Sequence, residues 1–139
     1  MRTADGAGLA AVYLSGYTPR PVDRFGRPVK GLVKTALGAE ALPWHYRRDP
    51  VAVIRELQKA GWAIVGVEQD ARSRDYRELV LTRDTLFVFG NEVRGLSPAL
   101  RARCDAVIEI SMHGAKESLN VSVAAGIILF RFAPQVFSR

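Results

Sequence analysis

Apolar and polar positions along this chain fall into blocks whose period changes from strand-like to helix-like. Ala11, Val12, Tyr13 and Leu14 form a short continuous apolar run, the pattern of a buried strand. Before it, residues 2–8 predict the end of a helix closed by Gly8. Residues 16–28 hold three prolines and two glycines and predict a loop. A short helix is expected over residues 30–37, ended by Gly38. An edge strand is expected over residues 41–44, because Pro43 cannot donate to a ladder. Asp49 and Pro50 then suit the N-cap and first turn of a clear helix. Val51, Ile54, Leu57 and Gln58 recur at helical spacing, and Gly61 closes it. Residues 62–67 and 85–89 predict strands, the second apolar on both faces. Residues 70–78 between them predict a charged loop. Ser97 and Pro98 open a short helix to about Arg103, residues 106–110 form a further strand, and residues 120–132 form a last helix stopped by Pro134.

Strands alternating with helices predict an α/β fold, a mostly parallel sheet with helices on both faces. In such sheets ligands sit beyond the carboxyl ends of strands. Chemistry is therefore expected after Val67, after Phe89 and after Ile110.

The length of 139 residues bounds the answer to one domain that can bury a core without staples. Cys104 has no partner in the chain, and one Cys with two His disfavours a zinc site, so no metal is expected. The longest apolar run, residues 121–130, is half of the about 20 positions needed to span a bilayer. The start of the chain is too poor in apolar residues for a signal peptide. A soluble cytoplasmic protein, with no membrane partner, is expected.

Charge changes this picture. The formal net charge is +6 with a pI near 10.0. Between Arg20 and Arg55, eight basic residues stand against Asp23, Glu40 and Asp49, so most of the excess sits in about a quarter of the chain. A concentrated positive field attracts polyanions, RNA or DNA above all.

Two segments at strand ends carry candidate chemistry. The first reads Phe89-Gly90-Asn91-Glu92-Val93-Arg94-Gly95-Leu96-Ser97. Gly90 lets a ligand approach the backbone, and Gly95 permits a positive-φ turn. Neither a Walker loop nor a Gly-x-Gly-x-x-Gly fingerprint occurs anywhere in the chain. The second segment runs from Ile110 through Ser111, Met112, His113, Gly114, Ser118, Leu119 and Asn120 into the last helix. Ser118 or Asn120 can cap that helix. The helix is apolar nearly all round, which predicts burial on more than one side and points to a partner subunit.

Together these two segments resemble motifs 2 and 3 of the SpoU/TrmH family, the S-adenosylmethionine-dependent RNA 2′-O-ribose methyltransferases of the SPOUT superfamily. Arg2-Thr3-Ala4-Asp5 with Gly8 is similar to the second half of the family's motif 1. Lys34-Thr35-Ala36-Leu37-Gly38-Ala39-Glu40 is similar to its intermediate segment. The resemblance covers essentially the whole chain.

That resemblance implies an α/β fold with a C-terminal trefoil knot, which periodicity alone would not reveal. It implies a homodimer through the last helix, S-adenosylmethionine as cofactor, and a ribose 2′-hydroxyl of tRNA or rRNA as substrate. Gly90, Ile110 and Leu119 match positions whose backbone holds the cofactor. Val67, Asn91, Gly95 and Met112 fall along the same three cofactor loops. Arg2 matches the arginine proposed to activate the hydroxyl, and Glu92, Ser118 and Asn120 match polar positions that hold the substrate and that arginine.

The chain begins inside motif 1, so residues 1–139 are expected to form a single domain lacking the family's first strand and the first half of that motif. A catalytically silent RNA- or cofactor-binding module that lost motif 1 is the alternative expectation. The remaining chemistry-bearing side chains have plain readings. Cys104 is expected to be an inert, half-buried thiol. His45 and His113 lie too far apart in sequence to argue as a pair, though His113 falls in the cofactor loop. Trp44, Tyr46, Arg47 and Arg48 are expected to pack rather than to stack bases.

Overall fold

The computed structural model describes residues 1–16, 18–30 and 42–133. They fall into two compact units, Met1–Pro50 and Val51–Arg139. The helix expected over residues 30–37 (beyond its first residue), the intermediate motif at residues 34–40 and Pro134 lie outside the described residues.

The first unit opens with helix α1 (Arg2–Gly6), left through Gly8 at φ +70°. Strand β1 (Val12–Leu14) pairs in parallel with β2 (Trp44–Tyr46), in register from Val12 opposite Trp44 to Leu14 opposite Tyr46. The second strand therefore begins at Trp44, later than the expected span of residues 41–44. Pro43 has no N–H to give, but its carbonyl accepts from Val12 N at 2.9 Å, so the ladder starts at the proline and runs on past it. The Tyr46 hydroxyl donates to the Gly16 carbonyl at 3.1 Å, and the Arg20 guanidinium lies 3.8 Å over the Tyr46 ring. That ring face is covered by packing, as expected.

The second unit is organised by helix α2 (Pro50–Lys59) and a four-stranded sheet. Helix α2 buries Val53 and Ile54. It ends on Gly61 at φ +87°, with Trp62 N donating to Leu57 O and Gly61 N to Gln58 O, each at 3.0 Å. A left-handed residue at that point lets the chain turn while its last carbonyls stay bonded.

Strands β3 (Ala63–Val67), β4 (Arg74–Asp75), β5 (Thr85–Phe89) and β6 (Ala106–Glu109) lie in the order β4-β6-β3-β5, every pairing parallel. Strand β3 is central: it pairs with β5 along its whole length and with β6 from Val65 to Val67. Its apolar run on both faces is what a covered parallel strand needs. The two-residue β4 and a 3₁₀ turn at Tyr76–Glu78 replace the charged loop expected over residues 70–78. Two ladder residues leave no hydrophobic period to read, and the segment is fixed instead by polar bonds to β6 and its exit.

Helix α4 (Val121–Phe132) packs on one face of the sheet through Ile128 and Phe132, against Val65 and Ile108 with Val67, Phe87, Phe89 and Ile110 around them. Phe87 and Phe132 stack at 5.3 Å. Fully burying a side chain such as Ile108 or Ile128 stabilises by about 1.5–3 kcal/mol. The opposite side of β3 bears Gly66. A Cβ there would meet Leu96 Cδ1 at 2.8 Å and Cys104 Sγ at 3.0 Å, so a small residue is needed for that layer to close. Helix α3 (Pro98–Arg101) belongs to this layer, capped by Ser97 Oγ accepting from Leu100 N at 3.3 Å. It ends at Arg101, short of the expected Arg103. The backbone continues as single turns, Arg103 N to Leu100 O and Cys104 N to Arg101 O. Among the described residues no helix is long and apolar enough to cross a membrane.

Candidate functional site

A parallel sheet presents all its strand C-termini on one edge, and here β3, β5 and β6 empty into one cleft of about 220 Å³. Three stretches line it: residues 67–69, residues 89–95, and the segment from Glu109 into the first turn of α4. The structure thus brings together Val67, Gly90, Asn91, Glu92, Gly95, Ile110, Met112, Ser118 and Leu119. Two residues singled out from the sequence do not line the cleft, and one of them takes the capping role the sequence offered it. Asn120 caps α4, its Oδ1 accepting from Ser122 N at 2.9 Å. Arg2 opens α1 in the first unit and is exposed.

The 90–95 turn is built tightly. A Cβ on Gly90 would collide with the carbonyl carbon of Gly95 and come within 2.5 Å of Leu96 N, so residue 90 must be glycine for the turn to fold back on itself. Asn91 and Gly95 exchange both backbone bonds, Gly95 N to Asn91 O at 2.8 Å and Asn91 N to Gly95 O at 3.1 Å. Asn91 Oδ1 accepts from Val93 N at 2.9 Å and Arg94 N at 3.2 Å. Its side-chain oxygen is spent on the turn, so what it contributes to the cleft is backbone shape. Val93 at the tip is almost fully exposed.

Three polar residues of the wall were not singled out from the sequence: Glu68, Gln69 and Glu109. Glu68 Oε2 accepts from Leu96 N at 3.1 Å, and Oε1 from Arg101 Nη2 at 3.1 Å. Arg101 Nη1 also pairs with Asp70 Oδ2 at 2.6 Å, so one guanidinium joins two carboxylates behind the cleft. Arg72, first through its backbone N–H, and then the Arg101 charge hold the Asp70 carboxyl below its ordinary range. Gln69 Nε2 donates to the Ile110 carbonyl at 3.3 Å, tying the exits of β3 and β6 together. Glu109 Oε2 lies 2.5 Å from Ser73 Oγ, which is also 2.6 Å from the Asp70 carbonyl. The hydroxyl has one proton for two acceptors, so the three groups form a tight polar knot beside the wall. The signal for Glu109 was present: it is the one charged residue in the apolar run of β6.

Beyond the Glu109 side, Ser111 Oγ donates to Asp75 Oδ2 at 3.0 Å. Arg77 grips the same carboxylate, Nη2 to Oδ2 at 2.7 Å and Nε to Oδ1 at 2.8 Å. This Arg77 pair, then the Arg77 backbone N–H and the Ser111 hydroxyl, hold Asp75 far below the usual carboxylate range. His113 is exposed and does not line the cleft. Among the described residues no three His, Cys, Asp or Glu side chains gather as a metal site.

The chemistry of the wall suits an adenosyl ligand carrying positive charge. Val67, Phe89, Ile110, Leu119 and Ala124 offer an apolar face, while Glu92 and Glu109 add carboxylates to the wall and the Glu68 carboxylate is paired with Arg101. The close approach at Gly90 is to the backbone of Gly95 and Leu96, and it fixes the shape of the cleft's rim.

Comparison with known proteins agrees with this geometry. Residues 1–130 match the model of the SpoU rRNA Methylase family. The chain is 38% identical over 136 residues to the 23S rRNA (guanosine-2′-O-)-methyltransferase RlmB of Vibrio vulnificus, covering 97% of this chain and 52% of that protein. It is 42% identical over 82 residues to the tRNA (guanosine(18)-2′-O)-methyltransferase of Aquifex aeolicus, covering 59% and 39% respectively. Its fold superposes on the AdoMet-bound rRNA methyltransferase from Sinorhizobium meliloti with a TM-score of 0.85 at 30% identity, covering 99% of this chain and 50% of that one. The chain spans about half the length of the curated RlmB relatives it matches. Strand order, cleft and whole-chain similarity lead to one conclusion: the chain belongs to the SpoU rRNA methylase family.

Proposed function

We propose that this chain is the methyl-transferring domain of an S-adenosylmethionine-dependent enzyme acting on a ribose 2′-hydroxyl of rRNA or tRNA. The observation that carries the reading is the convergence of the three strand-end stretches on one cleft, in a chain similar along its length to 2′-O-methyltransferases. Val67, Gly90, Asn91, Gly95, Ile110, Met112 and Leu119 would hold the cofactor. When bound, that cofactor supplies an electrophilic methyl on a sulfonium, which departs as a neutral thioether as the O–C bond forms.

The protein's own work is alignment and charge. Gly90 lets the 90–95 turn fold back on itself, and that fixed turn gives the cleft its rim. Glu68, paired with Arg101 and bonded to Leu96 N, braces the 90–95 turn from behind, and Glu109 leaves a carboxylate on the wall for a cationic ligand. Arg2 is the residue proposed to act on the hydroxyl. A guanidinium is a poor base but stabilises a developing alkoxide and orients the hydroxyl, while the proton passes to water or a carboxylate. Glu92 and Ser118 are proposed to hold the ribose. Asn120 spends its carbonyl oxygen on the helix cap, so its proposed part is donation through Nδ2.

The reading extends to a trefoil-knotted C-terminal segment, supported by the placing of β6 between two strands that precede it in the chain. It extends to a single domain over residues 1–139 and to a homodimer through α4. Val123 and Phe130 lie seven residues apart on one side of that helix and are 51% and 54% exposed, an apolar stripe suited to a second copy. The cytoplasm is the proposed compartment, where an unpaired thiol such as Cys104 is ordinary.

The test is incubation of the purified chain with total RNA and labelled S-adenosylmethionine, then digestion to nucleosides. Label is expected in a 2′-O-methylated nucleoside. Label on a base, or none from a chain that binds the cofactor, overturns the reading. The second outcome leaves a silent binding module.

A further inference from the structure

The first unit carries a rigid hairpin that the catalytic reading leaves unused. Residues 22–28 close on an antiparallel bridge between Val22 and Pro28, extended by Val29 N donating to Pro21 O at 2.9 Å. Asp23 builds the turn. Its Oδ1 accepts from Phe25 N at 2.8 Å and Arg27 N at 3.0 Å, and its Oδ2 accepts from Arg27 Nε at 2.9 Å. Asp23 N donates in return to Arg27 O at 2.8 Å, and Gly26 N to Asp23 O at 3.0 Å. Gly26 stands at φ +76°, the left-handed conformation the tip needs. The Arg27 backbone N–H, then the Phe25 N–H and the Arg27 guanidinium, hold the Asp23 carboxyl below its ordinary range.

What this construction displays is one aromatic ring. Phe25 is 65% exposed at the tip. Arg24 and Arg27 place their guanidinium carbons 4.7 Å and 4.9 Å from its centroid. An apolar ring held in water adds little to the fold, and hydrophobic burial elsewhere does not need it. Around it the charge is one-sided: Arg20, Arg24, Arg27 and Lys30 against Asp23 alone within residues 20–30. A preformed aromatic face beside guanidiniums is the recognition chemistry of single-stranded nucleic acid, in which a base stacks on the ring and the neighbouring cations meet the flanking phosphates.

We propose that the 22–28 hairpin is an RNA-docking element in which Phe25 stacks on an unpaired base of the substrate while Arg24 and Arg27 bind the adjacent phosphates. The proposal rests on the reading above that this chain acts on RNA. An acidic protein segment would use the two arginines but gain little from the ring. A duplex offers no free base face to a single ring at a narrow tip, so the unpaired strand is the favoured ligand.

The experiment measures anisotropy of a fluorescent single-stranded oligoribonucleotide and of an RNA duplex, with the intact chain and its variants. Cofactor affinity is read separately by calorimetry with S-adenosylmethionine. Phe25→Ala is expected to weaken single-strand binding about tenfold or more, Phe25→Trp to retain it, and both to leave cofactor affinity and circular dichroism unchanged. Arg24→Gln is expected to lower the slope of log affinity against log salt by about 0.7. Equal binding by wild type and Phe25→Ala overturns the proposal, as does an equal loss for duplex and single strand. So does a wild type that binds cofactor but no RNA, or one in which a poly-aspartate peptide competes as well as RNA does. A wild type that binds no cofactor, yet loses RNA with Phe25→Ala, overturns the methyltransferase reading and leaves the docking element standing.

Discussion

The carboxylate of Glu68 occupies the space that any side chain at residue 95 would need. A Cβ built on Gly95 runs into Glu68 Oε1, and the same carboxylate takes the next backbone N–H, Leu96 N, at 3.1 Å. The exit of β3 thus clamps the turn that follows β5, and the clamp works only with glycine there.

Gly95→Ala is therefore expected to be destabilising by about 1–3 kcal/mol, since it combines the collision with a φ of +64°. Gly90→Ala meets backbone instead of a side chain that can swing away. It is expected to cost more and to abolish cofactor binding. Urea midpoints and calorimetry with S-adenosylmethionine check both. Equal tolerance of the two substitutions would contradict the geometry.

Removal of the α4 cap gives a second expectation. Asn120→Ala leaves Ser122 N without its side-chain acceptor and should lower stability by about 1 kcal/mol. Asn120→Asp keeps an oxygen at the cap and should recover the stability, but it replaces the Nδ2 donor. Methyl transfer should then stay low while the denaturation midpoint returns. Recovery of both would assign Asn120 a capping role alone.

Acid titration reads the Asp75 site. The Arg77 guanidinium, followed by its backbone N–H and the Ser111 hydroxyl, holds this carboxyl below its ordinary value of 3.8. The folded state thus binds the proton less readily than the unfolded chain. The stabilisation is whole above the unfolded value and drains away as pH falls below it towards the folded one. Asp75→Asn should flatten part of the acid limb of a urea-midpoint profile between about pH 5 and pH 2, with little pH dependence gained or lost near neutrality. An unchanged acid limb would remove the linkage.

Thiol chemistry should be slow. Burial, then the neighbouring Asp105 charge, pushes the Cys104 thiol up, and its S–H donates to Leu100 O at 3.3 Å. Alkylation by iodoacetamide at mild alkaline pH is expected to lag far behind that of the unfolded chain, followed by mass spectrometry. Fast modification of the native protein would show that the layer over Gly66 opens.

The apolar stripe of α4 predicts concentration-dependent association. Phe130→Glu should shift the sedimentation of the chain towards the monomer with no loss of secondary structure. A wild type that is monomeric at all concentrations would leave Val123 and Phe130 without the proposed partner.

Much of the scaffold was legible from the chain alone. Periodicity and turn residues located β3, β5, β6, α2 and α4 within a residue or two, because the strands and α4 are apolar runs, α2 repeats its apolar positions at helical spacing, and glycine, proline or capping residues mark their ends. The parallel sheet with its ligand edge followed from the alternation of those elements. The resemblance to the SpoU/TrmH motifs pointed to Gly90, Ile110 and Leu119, and these line the cleft. Strand β4 escaped because two polar residues bonded to a neighbour carry no period. The start of β2 was misread because Pro43 enters the ladder through its carbonyl, which sequence does not announce.

Tertiary structure alone decided which groups meet behind the cleft, whereas the Asn91 turn and the Asn120 cap are bonds to residues two or three along the chain. Asn91, Asn120 and Glu68 all belong to the carboxyl edge of the sheet, yet the first two spend their side-chain oxygens on a turn and a helix cap. Glu68 and Arg101 stand 33 residues apart in the chain and 3.1 Å apart in space. Local sequence fixes which backbone shapes are cheap. Which donor finds which acceptor depends on distances set only when the strands have paired and α4 has closed over them.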